Sequence, residues 1–307
     1  MKPSIVVAIP CYNEAITIEK VIHDFQKVLP DAEIHVFNNN SIDGSEKLAE
    51  GAGAIVHNVY GQGKGYVTRN IFDNIKADAV VFVDGDDTYF AEEAPVLLQP
   101  ILDGSADMVV GNRLKGVTDH SMRSLHQTGN RLIVIIVNCI FRGHYQDILS
   151  GYRVFNRRFI ESIPLMSKGF EIETEMTIQS LVRDMRIVEI PISYRSRPEG
   201  SSSKLRSFQD GYRILLTAIL LLRDHQPLRL FGLASFIFFI ITLMAAILRF
   251  LAYININTFP DALLTGLILL FAPLSLLSLG IGLELNTVNT RFQEIEQLLK
   301  RSKRTDD

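Results

Sequence analysis

Two runs without a charged residue constrain this chain more than any other feature. Leu230 to Leu248 supplies 19 such residues and Ala262 to Leu283 supplies 22, with a short polar turn around Asn255 to Asp261 between them. As helices, both are long enough to cross a hydrocarbon layer of roughly 30 Å. Buried core helices of that length without one charge are rare, so two membrane spans joined as a hairpin are expected. Arg223 and Arg229 precede the first run, and Arg291, Lys300, Arg301, Lys303 and Arg304 follow the second, while the turn has no Lys or Arg. The positive-inside rule then places both ends in the cytoplasm. Arg249 is the one dissenting charge, at the outer end of the first span, where it can snorkel to the far interface. The expected layout is a cytoplasmic domain over residues 1–225, a hairpin over 226–285 with spans at about 230–250 and 262–283, and a basic amphipathic tail over 286–307, also cytoplasmic.

Ahead of the hairpin the chain reads differently. Short β-branched runs at Ser4–Ile9, Glu33–Phe37, Ala54–Val56, Ala79–Val83 and Met108–Val110 alternate with helix-period segments. That pattern yields βαβ units, and hence an α/β domain with a mainly parallel sheet covered by helices. Between the first two strands, Ile18, Val21, Ile22, Phe25, Val28 and Leu29 form one apolar stripe at helical spacing. The opening run Ile5 to Ile9 is too short for a secretory h-region and stops at Pro10, so it reads as a first strand. Two further helices are expected. Over 124–142, Leu125, Leu132, Ile133, Ile136, Val137 and Ile140 oppose Arg131, Asn138 and Arg142; over 208–224, Phe208, Tyr212, Leu215, Ile219 and Leu222 recur at helical spacing. Both suit a membrane interface, and the first suits packing against the sheet equally well.

A formal net charge of −3 gives no basic field to draw in nucleic acid, and no such partner is expected. Cys11 and Cys139 match neither a disulfide framework nor zinc-ligand spacing and read as two buried thiols in a reducing compartment. The seven histidines show no metal-ligand spacing. The strongest local signal for chemistry is Val80 to Asp87, an apolar strand ending in Asp84-Gly85-Asp86-Asp87. Hard divalent cations seek oxygen ligands, and a strand end holds them where a diphosphate can complete the coordination. Asp84 and Asp86 are therefore the expected ligands of Mg²⁺ or Mn²⁺; an acidic surface turn is the plainer alternative. Other loops at the same sheet edge suit a nucleotide. Pro10 to Glu14 and Asn38 to Ser45 offer amides and carboxylates to a base and ribose, among them Asn38, Asn39 and Asp43. Gly61-Gln62-Gly63-Lys64-Gly65 offers a cationic loop to phosphate, although its spacing is neither that of a P-loop nor that of a dinucleotide fingerprint.

Taken together, PCYNE at 10–14, NNNSIDGS at 38–45, GQGKG at 61–65, VDGDD at 83–87, GNR at 111–113, DILSGYRVF at 147–155, FEIETE at 170–175 and RPEGSSSKL at 197–205 resemble the family 2 glycosyltransferases. Within them the chain is similar to the branch holding dolichol-phosphate mannose synthases and polyprenyl-phosphate glycosyltransferases. The resemblance spans about residues 4–225 and implies a GT-A fold, a nucleoside-diphosphate sugar donor and a lipid phosphate acceptor. It implies that Pro10, Tyr12 and Glu14 open the nucleotide site, that Asp84, Gly85 and Asp86 form the metal and diphosphate motif, and that Arg113 contacts the donor. It further implies that Arg197 and Lys204 belong to a late basic loop closing over phosphates. Asn38 stands where the family often has Asp, with Asp43 the remaining acid of that loop.

Asp86 and Asp147 are the expected catalytic residues, with Glu171, Glu173 and Glu175 as further acids. On a helix Glu171 and Glu175 share a face with Glu173 opposite; on a strand all three point one way. A phosphate acceptor is already ionised near neutral pH, so a general base is not demanded, and the role of Asp147 as base stays open. Arg131, Lys204 and Arg206 lie near the membrane-seeking helices and are the expected contacts of the acceptor phosphate. The expected function is transfer of a UDP- or GDP-linked sugar to undecaprenyl or dolichyl phosphate at the cytoplasmic face of the bilayer, making a lipid-linked sugar for glycan assembly. Alternatives are a different membrane acceptor, polysaccharide synthesis, or a non-catalytic nucleotide-sugar-binding scaffold. A processive synthase is disfavoured because the chain has no Trp for a Gln-x-x-Arg-Trp motif. Oligomeric state, including a homo-oligomer, stays open.

Overall fold

The computed structural model describes residues 2–116, 124–141, 143–200, 207–254 and 260–305. It divides into two compact units, residues 1–218 and 219–307.

The first unit is built on a seven-stranded sheet whose strands run β1 (Ile5–Cys11), β2 (Glu33–Asn38), β3 (Ile55–Asn58), β4 (Ala79–Phe82), β5 (Met108–Gly116), β6 (Arg153–Asn156) and β7 (Ile187–Ser193) along the chain. In space their order is β3-β2-β1-β4-β6-β5-β7. All pairings are parallel except those of β6, which is inserted antiparallel between β4 and β5. The five expected strands are all present, within two residues at each end except that β5 runs six residues past the expected Val110. The β1 strand alternates as a doubly covered strand must. Val7, Ile9 and Cys11 face one core with α1 (Ile18–Val28), while Val6 and Ala8 face the other with α3 (Lys64–Asn74). The first core also takes residues of α2 (Ser45–Gly51) and α4 (Ala94–Leu102); the second takes Phe159 of α6 (Arg157–Ser162) and Met176 of α7 (Ile172–Val182). Strand order reverses at β1, between β2 and β4. Ligand crevices of open α/β sheets form outside the carboxyl ends at such a point.

Helix α5 (Ser124–Phe141) buries Val134, Val137 and Phe141 and exposes Ile135, so its packed stripe is offset from the expected one, with Val137 common to both. Helix α8 (Ser207–His225) buries Ile214, Ala218, Leu221 and Leu222. Of the residues expected on its apolar face, Leu222 is buried, whereas Tyr212 and Ile219 are exposed. Each helix thus has two apolar faces, one packed and one open. Cys11 is buried, and that burial pushes its thiol up to about 12. Cys139 is exposed, which corrects the expectation of two buried thiols.

The second unit contains α9 (Pro227–Tyr253) and α10 (Asp261–Thr305). Stretches of mean hydropathy 2.6 in Pro227–Tyr253 and 2.3 in Asp261–Ile295 are long and apolar enough to cross a membrane. Only 11% and 17% of those stretches are buried, unlike the core helices of a soluble protein. The helices are tied by hydroxyls. Ser235 Oγ donates to the Ser275 carbonyl at 2.8 Å, Ser275 Oγ returns to the Ser235 carbonyl at 3.0 Å, and Ser278 Oγ donates to the Phe231 carbonyl at 2.9 Å. Close approach is possible because Gly282 has no side chain: a Cβ there would lie 2.9 Å from Phe231 Cβ. The dissenting Arg249 pairs with Asp261 at 2.9 Å, joining the two helices at the turn. The expected tail over 286–307 is continuous with the second span, since α10 runs unbroken to Thr305.

Candidate active site

The carboxylates Asp84, Asp86 and Asp87 leave the end of β4 beside the point where strand order reverses. Gly85 is closely packed there: an added Cβ would meet the Ile9 and Ile18 side chains at 3.3 Å. Thr17 Oγ1 donates to the Gly85 carbonyl at 2.7 Å and pins the turn to the start of α1. Each carboxylate meets a cation. Asp84 Oδ1 lies 2.5 Å from Lys64 Nζ, Asp86 Oδ2 lies 2.5 Å from an Arg197 nitrogen, and Asp87 pairs with Lys20 at 2.9 Å and with Arg195. Arg197 also reaches Glu14, at 3.5 Å. Asp86 Oδ1 accepts from the Thr88 backbone and hydroxyl at 3.1 and 2.6 Å. Burial and the charge of Asp84 push the Asp86 carboxyl up, against the pull of Arg197. The structure thus brings two sets of ion pairs side by side: Lys64 with Asp84, and Arg197 with Asp86 and Glu14.

The glycines around Lys64 have a structural use that their sequence pattern does not disclose. Gly63 lies at φ 129°, and a Cβ on it would stand 2.2 Å from the Lys168 carbonyl oxygen. On Gly65 it would stand 2.1 Å from the Ser167 carbonyl oxygen. The loop therefore lies flat against 167–169, with Gly65 N donating to the Lys168 carbonyl at 3.1 Å. That second loop is held by Glu171, which accepts from the Lys168 and Gly169 amides, and by Glu175, which accepts from those of Met166 and Ser167. Glu173 points elsewhere, and its Oε1 takes Lys64 Nζ at 2.6 Å. The helical alternative for these three acids is the observed one, and all three are buried rather than at the surface. Although burial pulls Lys64 down, Asp84 and Glu173 outweigh it and hold the ammonium charged.

Asp147 is fully buried and gives both oxygens to Arg113: Nε to Oδ2 and a terminal nitrogen to Oδ1, each at 2.8 Å, with the Arg113 amide at 3.1 Å. Burial pushes its carboxyl up, but the bidentate guanidinium wins and holds it below the usual carboxylate range. Arg113 in turn lies 5.4 Å from the Tyr194 ring centre, in cation–π contact. The loop after Asp147 is fixed by Arg153, a fully buried guanidinium that donates to the carbonyls of Ile148 and Ser150 and to Thr177 Oγ1. That loop carries Gly151, whose amide donates to Tyr89 Oη at 2.9 Å and whose missing Cβ leaves room for Asp84 Oδ2, 2.3 Å from where it would be.

In the loops after β1 and β2, Asn38 and Asn39 spend their amides locally. Asn38 bonds Asn58 and the Ser41 amide; Asn39 clamps the Val59 and Gly61 carbonyls and the Gly63 amide. Asp43 binds Ser45 and the Ala15 amide, and these bonds outweigh its partial burial to hold it low. Pro10 is half-buried, whereas the Tyr12 ring is 38% exposed on this edge. Arg131 is exposed on α5, and Lys204 and Arg206 lie outside the described residues. Sequence reasoning missed Arg195, Lys20, Tyr89 and Gly151 as neighbours of the carboxylates. Arg195, two residues before Arg197, was the one with a visible cue. No group of three or more metal-binding side chains occurs among the described residues. The donor set of Asp84 and Asp86 still suits a hard divalent ion that takes its remaining ligands from phosphate and water.

A mainly parallel sheet with an antiparallel insertion, and an Asp-Gly-Asp at the end of its fourth strand, are the features of a GT-A-like fold. The glycosyl transferase family 2 model matches residues 6–163, and the chain belongs to that family. It is 38% identical over 228 residues to glycosyltransferase AglJ of Haloferax volcanii, covering 74% of this chain and 75% of that one. It is 29% identical to a dolichyl-phosphate hexose transferase of the same organism, over 66% of this chain and 87% of the relative. With an undecaprenyl-phosphate mannosyltransferase of Micrococcus luteus it shares 26% identity, over 63% and 84%. Among solved structures, glucosyl-3-phosphoglycerate synthase from Mycobacterium tuberculosis with Mn²⁺ and UDP-glucose superposes with a TM-score of 0.59. It covers 71% of this chain and 78% of its own at 22% identity, a likeness of fold. The protein is a glycosyltransferase.

Proposed function

We propose that this enzyme transfers a hexosyl group from a nucleoside-diphosphate sugar to a polyprenyl phosphate at the cytoplasmic membrane face. The observation that carries this reading is the ion-paired cluster of Asp84, Asp86, Lys64 and Arg197 on a chain that also bears two apolar helices long enough to span a bilayer. The relatives named for dolichyl and undecaprenyl phosphates support the acceptor class.

Asp84 and Asp86 are the groups that would hold Mg²⁺ or Mn²⁺, which when bound offsets the charge developing on the departing diphosphate. Arg197 adds positive charge beside the same diphosphate, with the Lys64 ammonium close to the carboxylates. The exposed Tyr12 ring offers a face on which the base can stack. Arg113 is oriented by Asp147 for contact with donor or acceptor phosphate. Because both Asp147 oxygens are committed to Arg113, it serves as a positioning residue and not as a base. An ionised phosphate acceptor needs no base, since its oxygen already carries the electron pair that attacks the anomeric carbon. Arg131, Lys204 and Arg206 are the proposed acceptor contacts. The open apolar faces of α5 and α8, with Ile135, Tyr212, Leu216 and Ile219 exposed, suit helices lying at the bilayer surface.

The test is the full-length protein in detergent, given a panel of UDP- and GDP-sugars with polyprenyl phosphate, and products weighed by mass spectrometry. One donor should yield a lipid-linked sugar. Nucleotide release without any lipid product across the panel would overturn the acceptor assignment. For topology, a cysteine at position 257, outside the described residues, should react with an impermeant reagent in intact cells once Cys139 is replaced. Reaction only after permeabilisation would reverse the orientation.

A further inference from the structure

Lys64 stands where two demands collide. Its ammonium lies 2.5 Å from Oδ1 of Asp84, the carboxylate proposed to hold the metal, and 2.6 Å from Glu173 Oε1. A divalent ion bound to an Asp84 oxygen at about 2.0–2.2 Å would sit close beside the ammonium, with like charges in a poorly solvated pocket. The backbone that carries Lys64 cannot back away. Gly63 and Gly65 are pressed on the 167–169 carbonyls, and Asn39 Oδ1 takes the Gly63 amide at 2.8 Å. Only the flexible side chain is free to yield, and one receiving group is at hand. Glu173 is 3% exposed, comes from a different element, and has an oxygen, Oε2, that is buried with no hydrogen-bond partner among the described residues. A buried carboxylate oxygen without a donor is costly, and an incoming ammonium proton would satisfy it.

We propose that Lys64 is an exchangeable counter-cation shared by Asp84 and Glu173, which gives up Asp84 to the metal and settles on Glu173 when the donor complex binds. Glu173 is then a positioning residue for the metal site although it ligates nothing there. The inference rests on the reading of Asp84 as a metal ligand, and it makes opposite demands on two neutralising substitutions. Removing the lysine charge frees Asp84; removing the glutamate charge leaves Lys64 with Asp84 as its one strong anion.

The experiment is Mn²⁺ titration of the full-length protein in detergent without nucleotide, followed by calorimetry or by the electron paramagnetic resonance of free Mn²⁺. Lys64→Gln should bind Mn²⁺ more tightly than the unmodified protein, by on the order of tenfold, and Glu173→Gln more weakly by several-fold. A merely structural role for the pair would weaken both. Binding by Lys64→Gln that is equal or weaker, or by Glu173→Gln that is equal or tighter, overturns the proposal. Should Lys64→Gln fail to fold, Lys64→Met, which keeps the length of the side chain without its charge, takes its place with the same expected tightening. Asp84→Asn separates the two levels: if it binds Mn²⁺ as well as the unmodified protein, the metal-site reading itself fails and the exchange falls with it.

Discussion

The sheet unit and the helical hairpin both hold polar groups away from water, and they satisfy them by opposite means. In the first, Arg153 and Asp147 are fully buried and Glu173 nearly so, each as part of an ion pair or a fan of hydrogen bonds. In the second, the groups that join the helices are the hydroxyls of Ser235, Ser275 and Ser278, each spent on a backbone carbonyl, while the paired charges Arg249 and Asp261 stay exposed at the turn. Desolvating an ion costs several kcal/mol before any pairing is counted, whereas a hydroxyl brings its own local acceptors within reach. Many of the buried ions of the sheet unit lie at the edge that carries the candidate site.

The sharpest way to break this comparison is to remove a charge from the catalytic edge. Asp86→Asn should lower turnover by on the order of a thousandfold. The unfolding transition of the full chain should barely move. Turnover within tenfold of normal would show that the buried carboxylates are not there for chemistry.

The next effect is on stability. Asp147→Asn keeps the shape of the side chain but leaves Arg113 facing a neutral amide, and it should cost about 3 kcal/mol of unfolding free energy, as expected when one partner of a buried pair is lost. The pH dependence has a definite sign. The folded carboxyl lies below its ordinary 3.8, so its contribution is complete above that value and is lost as pH falls through the lower folded one. The gap between unmodified and Asp147→Asn proteins, measured by denaturant unfolding in detergent, should close on acidification below 3.8 and stay constant above it. A gap that widens in acid would contradict the pairing.

The smallest effect is expected in the hairpin. Ser235→Ala should cost about 0.6 kcal/mol and no more than ~2 kcal/mol. A loss comparable to that of Asp147→Asn would mean that hydroxyls carry as much in the membrane-like unit as ions do in the other, and would erase the contrast.

Period and punctuation made much of the fold legible. The first five strands, the helix over 18–28 and the two apolar helices all declare themselves through β-branched runs, a 3.6-residue stripe, or absence of charge. β6 does not, because it opens with Arg153, a residue whose burial depends on acceptors at 148, 150 and 177 that only the folded chain assembles. β7 is masked by Pro191, which is tolerated because β7 lies at the sheet edge. The Asp-Gly-Asp turn could be read because strand and acid are contiguous. The use of Gly63 and Gly65 could not, since the backbone they make room for arrives from about a hundred residues further on. Glu171, Glu173 and Glu175 sat at the limit of local reasoning: their periodicity fits helix and strand alike, and their division of labour needed the partners.

The 45-residue length of α10 has a rotational consequence. At 1.5 Å per residue it extends about 68 Å, more than twice the thickness of a bilayer interior. A helix so continuous sets the compass bearing of everything beyond its apolar stretch: each residue advances the azimuth by about 100°. The direction in which Glu294 leaves the helix axis is therefore dictated by where Asp261 is anchored at the other end. Excising one residue near Val288 would swing Arg291 and Glu294 by more than a quarter turn while leaving their depth along the axis almost untouched.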